Sequence, residues 1–306
     1  MKTYIKKRFG GKLDGSKNID FLKILRWQLF IKPRSTPTAV QALEIVDHTS
    51  QLVKKEDFIC WLSHASFLIQ LGGKRILIDP VFGNIPFYKR QIPSPYGPKA
   101  LGRIDYLLIS HTHYDHLDTP SIRQLEALHP QVIVPLQMQH TIRKAAPSLS
   151  IHELDWYANY HDNDLSITLV PAKHWGRRGI FDKNRALWGG FILEYRGFTI
   201  YFAGDSAVGP HFKEIGERYD IDIALMPIGA YKPEFIMKHN HLNPQEAYDA
   251  FKQLGAKKMI PMHYGTFKLS DEPLDEPLQW MQQIAALHTN EILFIKPGEI
   301  ISVPIA

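Results

Sequence analysis

Three histidines and one carboxylate crowd into six consecutive positions of this chain: His111, His113, Asp115 and His116. They directly follow an apolar run at residues 106–109, so the motif lies where a predicted strand ends and its side chains meet at one sheet edge. Neutral imidazole together with carboxylate suits zinc, and also iron or manganese. The spacing therefore indicates a metal site rather than a run of solvated surface histidines.

Three further side chains of the same chemical types follow other apolar runs: His174, Asp205 and His263. The strands that would deliver them are predicted over residues 166–170, 198–202 and 259–262. Taken alone, each of the three is an ordinary loop residue. Taken with the six-residue motif, they indicate further ligands at the ends of other strands.

The apolar runs and turns predict strands interleaved with helices, a pattern typical of a layered α/β protein. We predict strands over residues 58–71, 74–79, 104–110, 131–134, 166–170, 190–194, 198–202, 223–227, 259–262 and 291–295. We predict helices over residues 119–128, 211–218, 244–254 and 278–287. Gly72 and Gly73 are expected to join the first two strands as a hairpin.

Residues 1–50 differ from the rest and are predicted to form a basic N-terminal extension, which leaves 51–306 as the catalytic domain. The extension contains one amphipathic helical pattern at residues 19–31, closed by Lys32-Pro33. Two interpretations stay open. The helix lies in lipid headgroups, or it packs on the core of its own or a neighbouring subunit, as in a homodimer; the pattern favours packing.

The composition of the chain limits the classes of partner and the cellular compartment that we expect. A net charge of +5 and a pI near 9.0 favour anionic substrates or a membrane surface. Nucleic acid is not expected, because no run of five basic residues occurs. The chain has no secretory apolar region near Met1 and no apolar stretch of 18 residues. With Cys60 as its single cysteine it forms no internal disulfide, so we expect a cytoplasmic protein, free or peripheral at a membrane.

The motifs in their order resemble the metallo-β-lactamase-fold hydrolases, and among them the phospholipases D that hydrolyse N-acyl-phosphatidylethanolamine. The residues that carry the resemblance are 61–66, 79–82, 109–118, 174–175, 187–189, 202–205, 227–231 and 263–267. The resemblance implies a four-layer αββα sandwich, with metals at one edge between the two sheets.

The resemblance also implies two zinc ions and distributes the ligands between them. One ion is assigned His111, His113 and His174, the other Asp115, His116 and His263, with Asp205 bridging both. Two such cations lower the pKa of a bound water to about 7, so that it can attack a phosphodiester. Asp115 is expected to orient that water as well as to bind metal.

Further roles follow for residues near this set. His241 is a candidate proton donor for the leaving alkoxide, and a histidine that caps the following helix is the open alternative. Asp79 and His64 resemble positions that orient ligand imidazoles, although His64 fits a plain core histidine equally well. Arg177, with Lys173 and Arg178, could meet a phosphate, but a solvated charge cluster is the more common arrangement.

Three aromatic residues, Trp175, Trp188 and Tyr231, are candidates for the substrate cleft, although aromatics beside strands more often pack the core. The function implied is cleavage of N-acyl-phosphatidylethanolamine to an N-acylethanolamine and phosphatidic acid. A small-ester or lactone hydrolase and a non-catalytic, metal-stabilised binding module remain alternatives, because one fold carries many chemistries.

Overall fold

A computed structural model describes residues 13–15, 26, 27, 43–53, 56–288 and 290–303 of the chain. Two mixed β-sheets lie face to face, and helices cover their outer faces. This is the predicted four-layer αββα sandwich. The predicted helix at residues 19–31 lies outside the described residues, apart from positions 26 and 27.

The first sheet has seven strands in the order β13-β1-β2-β3-β4-β5-β6. Their bounds are β1 Phe58–Trp61, β2 Phe67–Leu71, β3 Lys74–Ile78, β4 Tyr106–Leu108, β5 Gln131–Pro135, β6 Ile151–Leu154 and β13 Ile300–Ser302. Strands β1 to β3 form an antiparallel meander, and β3 to β6 run parallel. Strand β13 returns to pair antiparallel with β1.

The second sheet has six strands in the order β12-β11-β10-β9-β8-β7. Their bounds are β7 Asn159–Asp162, β8 Leu165–Val170, β9 Gly190–Tyr195, β10 Phe198–Phe202, β11 Ile223–Pro227 and β12 Lys258–Met262. Strands β7 to β10 alternate in direction, whereas β10 to β12 are parallel. Strands β8, β10 and β12 therefore all end at the same edge.

The helices connect the parallel strands and cover the sheets. Their bounds are α1 Pro98–Leu101, α2 Thr119–Leu125, α3 Gln139–Ala145, α4 His211–Gly216, α5 Glu234–Met237, α6 Pro244–Leu254 and α7 Glu276–Leu287. Side chains cap two of them: Asp118 accepts from Ser121 N at the start of α2, and Asn243 forms a capping box with Glu246 at the start of α6. These caps fix where each helix begins, directly after loops that carry predicted site residues.

Alternation along the strands builds two separate cores. In β2, Phe67 and Ile69 face the other sheet, whereas Leu68 faces the helical layer. Leu77 of β3 joins Leu68 on the helical side. Successive side chains on a strand point to opposite faces, so strands that are apolar throughout can bury both faces. This is why these strands appear in the sequence as continuous apolar runs.

Two sequence predictions of strands are wrong. The predicted strand 58–71 is two strands, because residues 62–66 turn with His64 at a φ of 53°. The predicted strand 291–295 is reduced to a single bridge between Ile292 and Met259. The pattern also missed the strands β6, β7 and β13, which are only three or four residues long. Over the described residues, no helix is both long and apolar enough to cross a bilayer.

Candidate metal centre

The ends of six strands bring the predicted site residues to one edge between the two sheets. Strands β1, β3 and β4 are followed by His64, Asp79 and the segment 109–118. Strands β8, β10 and β12 are followed by His174, Asp205 and His263. Within the β4 loop, His116 N and Leu117 N both donate to His113 O, which turns the chain sharply and points the motif's side chains inward.

Gly204 allows the two sheets to approach each other next to Asp205. Its φ is 61°, and a Cβ at this position would lie 2.8 Å from Gly189 O and 3.2 Å from Ser110 Cβ. Only glycine tolerates both the left-handed conformation and this proximity. Gly204 thereby lets the end of β10 place Asp205 against the β4 loop.

The first group of donor atoms consists of three imidazole nitrogens. His113 Nδ1 lies 3.0 Å from His111 Nε2 and 3.1 Å from His174 Nε2. The outer nitrogens of two of these rings have partners: His174 Nδ1 donates to Asn240 O at 2.9 Å, and His111 Nδ1 lies 3.0 Å from Ser110 Oγ. These outer contacts leave the inner nitrogens to face one another, as ligands of a shared ion do.

The second group is centred on Asp115. Its Oδ2 lies 3.1 Å from His64 Nε2, 3.4 Å from His263 Nε2 and 3.6 Å from His116 Nε2. All four side chains could hold one metal ion. His64, predicted either to orient a ligand imidazole or to be a plain core histidine, contacts the Asp115 carboxylate as a member of this group.

Asp205 lies between the two groups. Its Oδ2 is 3.2 Å from His116 Nε2 and 3.8 Å from both His111 Nε2 and His174 Nε2. Its Oδ1 is 3.2 Å from His263 Nε2. One carboxylate thus faces both sets of imidazoles, which is the position that a bridging ligand requires.

Several buried polar atoms at this edge form no hydrogen bond of regular geometry, although Asp205 and the histidines lie 3.2 to 3.8 Å from one another. They are His116 Nε2, His263 Nε2, Asp205 Oδ1 and His241 Nδ1. Buried polar groups are normally satisfied, and a cluster of orphaned donor atoms of metal-binding type needs an explanation. A bound cation would supply the missing partner, so the residues present fit a metal ion.

The electrostatics of the cluster agree with this fit. Burial holds the pKa of His111 and His174 well below the ordinary histidine value and lowers that of His113 to about 4. These imidazoles are neutral at pH 7, which is the form that binds metal. For His263, Asp205 and Asp115 outweigh burial and raise the pKa to about 9. The carboxylates thus favour positive charge in the second group.

Asp79 is buried and takes three donors. Its Oδ2 accepts from His116 Nδ1 at 2.7 Å and from Ser110 Oγ at 2.5 Å, and its Oδ1 accepts from Ser110 N at 2.7 Å. The contact with His116 leaves Nε2 of that ring facing Asp115 and Asp205. Asp79 therefore makes the contact with a candidate ligand imidazole that the predicted orienting role requires. Ser110, which sequence reasoning missed, adjoins His111 in the sequence and links it to Asp79.

His241 reaches the cluster from the loop before α6. Its Nδ1 lies 3.8 Å from Asp205 Oδ2, and its side chain is 13% exposed. Burial lowers its pKa to about 4, although Asp205 opposes the shift. The helix-capping alternative is wrong, because Asn243 caps α6. His241 could instead join His174 and Asp205 around an ion, a possibility that the sequence did not suggest.

The three aromatic residues predicted to line the substrate cleft lie in different environments. Trp175 is half-buried and meets the His113 ring edge to face at 4.8 Å, so it lies at the centre. Trp188 has no exposed surface, and its Nε1 donates to Ala172 O within the core. Tyr231 is also buried and donates its hydroxyl to Glu276 at 2.5 Å. The prediction that Trp188 and Tyr231 line the cleft is therefore wrong, since both pack within the protein.

The predicted basic residues serve different purposes. Arg177 is exposed and its Nε donates to Gly179 O at 2.7 Å. Arg178 braces the metal loop, because its Nη1 donates to Thr112 O at 3.0 Å and to Leu117 O at 2.6 Å. Lys173 donates to Val208 O at 2.7 Å. Of the three, Arg177 is the most open to an anionic ligand.

Comparison with known proteins identifies relatives that share most of this chain. Residues 74–264 match the β-lactamase superfamily domain. N-acyl-phosphatidylethanolamine-hydrolyzing phospholipase D 1 of Caenorhabditis elegans is 33% identical over 266 residues, which cover 79% of this chain and 75% of the relative. The mitochondrial enzyme of the same name from Saccharomyces cerevisiae is 33% identical over 244 residues, 74% of this chain and 51% of its own length.

Structural similarity covers most of the chain. The metallo hydrolase Igni18 from the archaeon Ignicoccus hospitalis superposes with a TM-score of 0.64 at 22% identity, covering 82% of this chain and 99% of that protein. At this identity the match establishes the fold. With the domain match and the relatives at 33% identity, it follows that the chain belongs to the metal-dependent hydrolases of the metallo-β-lactamase superfamily.

Proposed function

We propose that this protein is a dinuclear zinc phosphodiesterase of the phospholipase D type. Its substrate is N-acyl-phosphatidylethanolamine, and its products are an N-acylethanolamine and phosphatidic acid. Iron or manganese suits the same donor set; zinc is proposed because imidazole and carboxylate are among its usual ligands.

The observation that carries the proposal is the pair of adjoining donor groups with Asp205 between them. Two sets of imidazoles face one carboxylate, within 3.8 Å on one side and 3.2 Å on the other. Such an arrangement places two cations close together. Bound there, they would lower the pKa of water to about 7 and neutralise the charge that develops on a phosphoryl group.

The two carboxylates of the cluster have different surroundings and different proposed roles. The Asp115 side chain is 13% exposed, whereas that of Asp205 is 2% exposed. Asp115 can therefore meet a water molecule and accept its hydrogen bond, which directs the water's lone pair at phosphorus. Asp205 stays within the cluster and holds the two groups together.

His241 is the proposed donor to the leaving oxygen. Its pKa of about 4 makes the free imidazole neutral at pH 7, with one N–H. A phosphodiester bound beside it brings negative charge, which raises a histidine pKa and favours the protonated donor.

The phospholipid substrate is proposed from the relatives. The worm and yeast proteins that carry its name are each 33% identical to this chain over most of the catalytic region. A basic protein with net charge +5 is suited to an anionic phospholipid. Trp175 beside His113 would form one wall for the substrate, and Arg177 is free to meet its phosphate.

The test is hydrolysis of N-acyl-phosphatidylethanolamine in mixed micelles by the zinc-loaded protein, with products identified by mass spectrometry. We expect release of N-acylethanolamine with phosphatidic acid, abolished by a chelator and restored by added zinc. Release of a different headgroup fragment would contradict the phospholipase D type of cleavage. A metal-loaded protein without any product would exclude this substrate and favour a small ester or lactone.

A further inference from the structure

Large apolar side chains are exposed mainly around the metal edge. Among the described residues, those exposed on loops that leave this edge are Phe87, Tyr88, Tyr114, Ile180, Phe181 and Val208. Elsewhere they are Val53, Leu287 and Phe294. Single exposed apolar residues are ordinary, but a concentration beside a functional site marks an interaction surface.

Three of these side chains are almost fully in water. Phe87 is 99% exposed, Phe181 84% and Ile180 76%. They occupy the tips of two loops, residues 82–97 after β3 and residues 175–187 after β8. We call the three tip residues the rim surface.

Both loops are fastened to the same short segment, residues 117–121, beside the metal motif. Phe82 N of the first loop donates to Ser121 Oγ at 2.9 Å. Arg178 of the second loop donates to Leu117 O at 2.6 Å. Both loops are therefore anchored on the same short segment.

The same loops also contact residues of the metal centre. In the first, the Arg90 guanidinium lies 5.3 Å above the Phe267 ring, and Phe267 in turn meets His64 at 5.1 Å. In the second, Trp175 meets His113 at 4.8 Å. The rim surface therefore belongs to loops that border both donor groups.

The charges on these loops are predominantly positive. The first loop carries Lys89 and Arg90 and no acidic residue. The second carries four basic residues, Arg177, Arg178, Lys183 and Arg185, and one acidic residue, Asp182. The Asp182 carboxylate is occupied within its own loop, since Oδ1 accepts from Gly179 N at 2.8 Å and from Arg178 N at 3.2 Å.

We propose that the rim surface docks the protein on a phospholipid bilayer that contains anionic lipid. Apolar tips on loops that also carry the exposed basic residues Lys89, Arg177 and Arg185 match an acyl layer beneath phosphate headgroups. Docking by this surface would bring the metal edge to the depth of the headgroups, where a phospholipid presents its phosphodiester. The inference rests on the proposed function, because it supplies the route by which a lipid substrate reaches the site.

The test is sedimentation of the zinc-loaded full chain with phosphatidylcholine vesicles, with and without phosphatidylglycerol. The rim variant is Phe87→Ser combined with Phe181→Ser. The matched control is Val53→Ser combined with Leu287→Ser, which removes two side chains of 83% and 80% exposure outside these loops. Both pairs change exposed positions, and circular dichroism checks that they fold.

We expect wild type and control to bind the anionic vesicles. The rim variant should bind with an affinity at least about tenfold lower, because two aromatic rings are no longer transferred from water to the bilayer. Binding by all of them should weaken as salt is raised. Equal binding by the rim variant and the wild type would overturn the proposal, as would a wild type that binds neither vesicle. So would a rim variant that turns a dimer into a monomer on sedimentation velocity, because a second copy would then cover the surface.

Vesicle binding does not require turnover, so the two proposals fail separately. Rim-dependent binding without cleavage of N-acyl-phosphatidylethanolamine would refute the substrate and leave the docking surface intact. Cleavage of the micellar substrate, together with vesicle binding that does not depend on the rim surface, would refute the docking surface and leave the proposed substrate intact.

Discussion

Asp79 Oδ2 accepts a hydrogen bond from His116 Nδ1 at 2.7 Å, in a fully buried pair that belongs to two neighbouring strand ends. This contact determines which nitrogen of His116 faces Asp115 and Asp205. Carboxylates that hold the outer nitrogen of a ligand histidine fix its tautomer and raise its basicity. Asp79 is therefore expected to control metal affinity without touching the ion.

Replacing Asp79 by Asn should lower metal affinity about 10- to 100-fold, the usual effect of losing such a partner. The carboxylate accepts from His116 and twice from Ser110, whereas an amide presents only one oxygen and turns a donor toward another donor. Competition with a chromophoric chelator measures the affinity. Asp164→Asn, at an exposed position paired with Arg196, is the control and should bind metal as the wild type does. Unchanged affinity in Asp79→Asn would show that His116 is held by other contacts.

Asp205→Asn should abolish turnover and lower the metal content of the purified protein. Asp205 faces both donor groups, and an amide neither carries the negative charge nor offers two equivalent oxygens. Elemental analysis after dialysis gives the metal content, with the same Asp164→Asn variant as control. A variant with full activity and two metals per chain would disprove the site assignment.

His241→Ala should reduce turnover by about 10²- to 10⁴-fold, the range for loss of a proton donor, while the metal content stays unchanged. The position of Nδ1, 3.8 Å from Asp205 Oδ2, puts the ring beside the cluster rather than in its centre. Turnover and elemental analysis on the same sample separate the two possible roles. Loss of metal would instead make His241 a ligand, with His174 and Asp205.

Stability should fall in acid partly because of His211, a buried histidine outside the metal cluster. Burial, with a smaller effect of Lys173, lowers its pKa from 6.5 to about 3. Below pH 6.5 the unfolded chain binds a proton that the folded chain excludes, so unfolding becomes easier as pH falls toward 3. The contribution is about 1.4 kcal/mol per pH unit within that window.

His211→Gln should therefore flatten the dependence of the unfolding free energy on pH between about pH 6.5 and pH 5. The amide can still meet Ser206 Oγ, which lies 2.9 Å from His211 Nε2 in the wild type. Urea unfolding of the chelator-treated protein at several pH values measures the slope. His161→Gln, at an exposed position of β7, is the control and should keep the wild-type slope. An identical slope in both variants would assign acid sensitivity to other groups.

The sequence alone could group the candidate metal ligands at one sheet edge, because the position of a side chain just after a strand is a local property of the sequence. Imidazoles and carboxylates closely follow strands that are mostly apolar, so strand ends locate the donors without knowledge of the pairing. The same reasoning could not tell which way an aromatic ring faces. Trp175 comes after β8 and Trp188 comes just before β9, and both lie beside strands in the sequence. Trp188 nevertheless lies in the core, because packing between the sheets decides the direction of its side chain. His64 contacts Asp115 across 51 residues of sequence, a pairing that local spacing cannot show.

The candidate metal centre draws on both sheets. His64, Asp79 and the motif at 111–116 come from the first sheet, whereas His174, Asp205 and His263 come from the second. Neither half of the chain carries the full donor set, and β13 returns to the first sheet only after the second is complete. The complete donor set therefore exists only when the two sheets are packed together, so metal occupancy reports whether the two halves have joined.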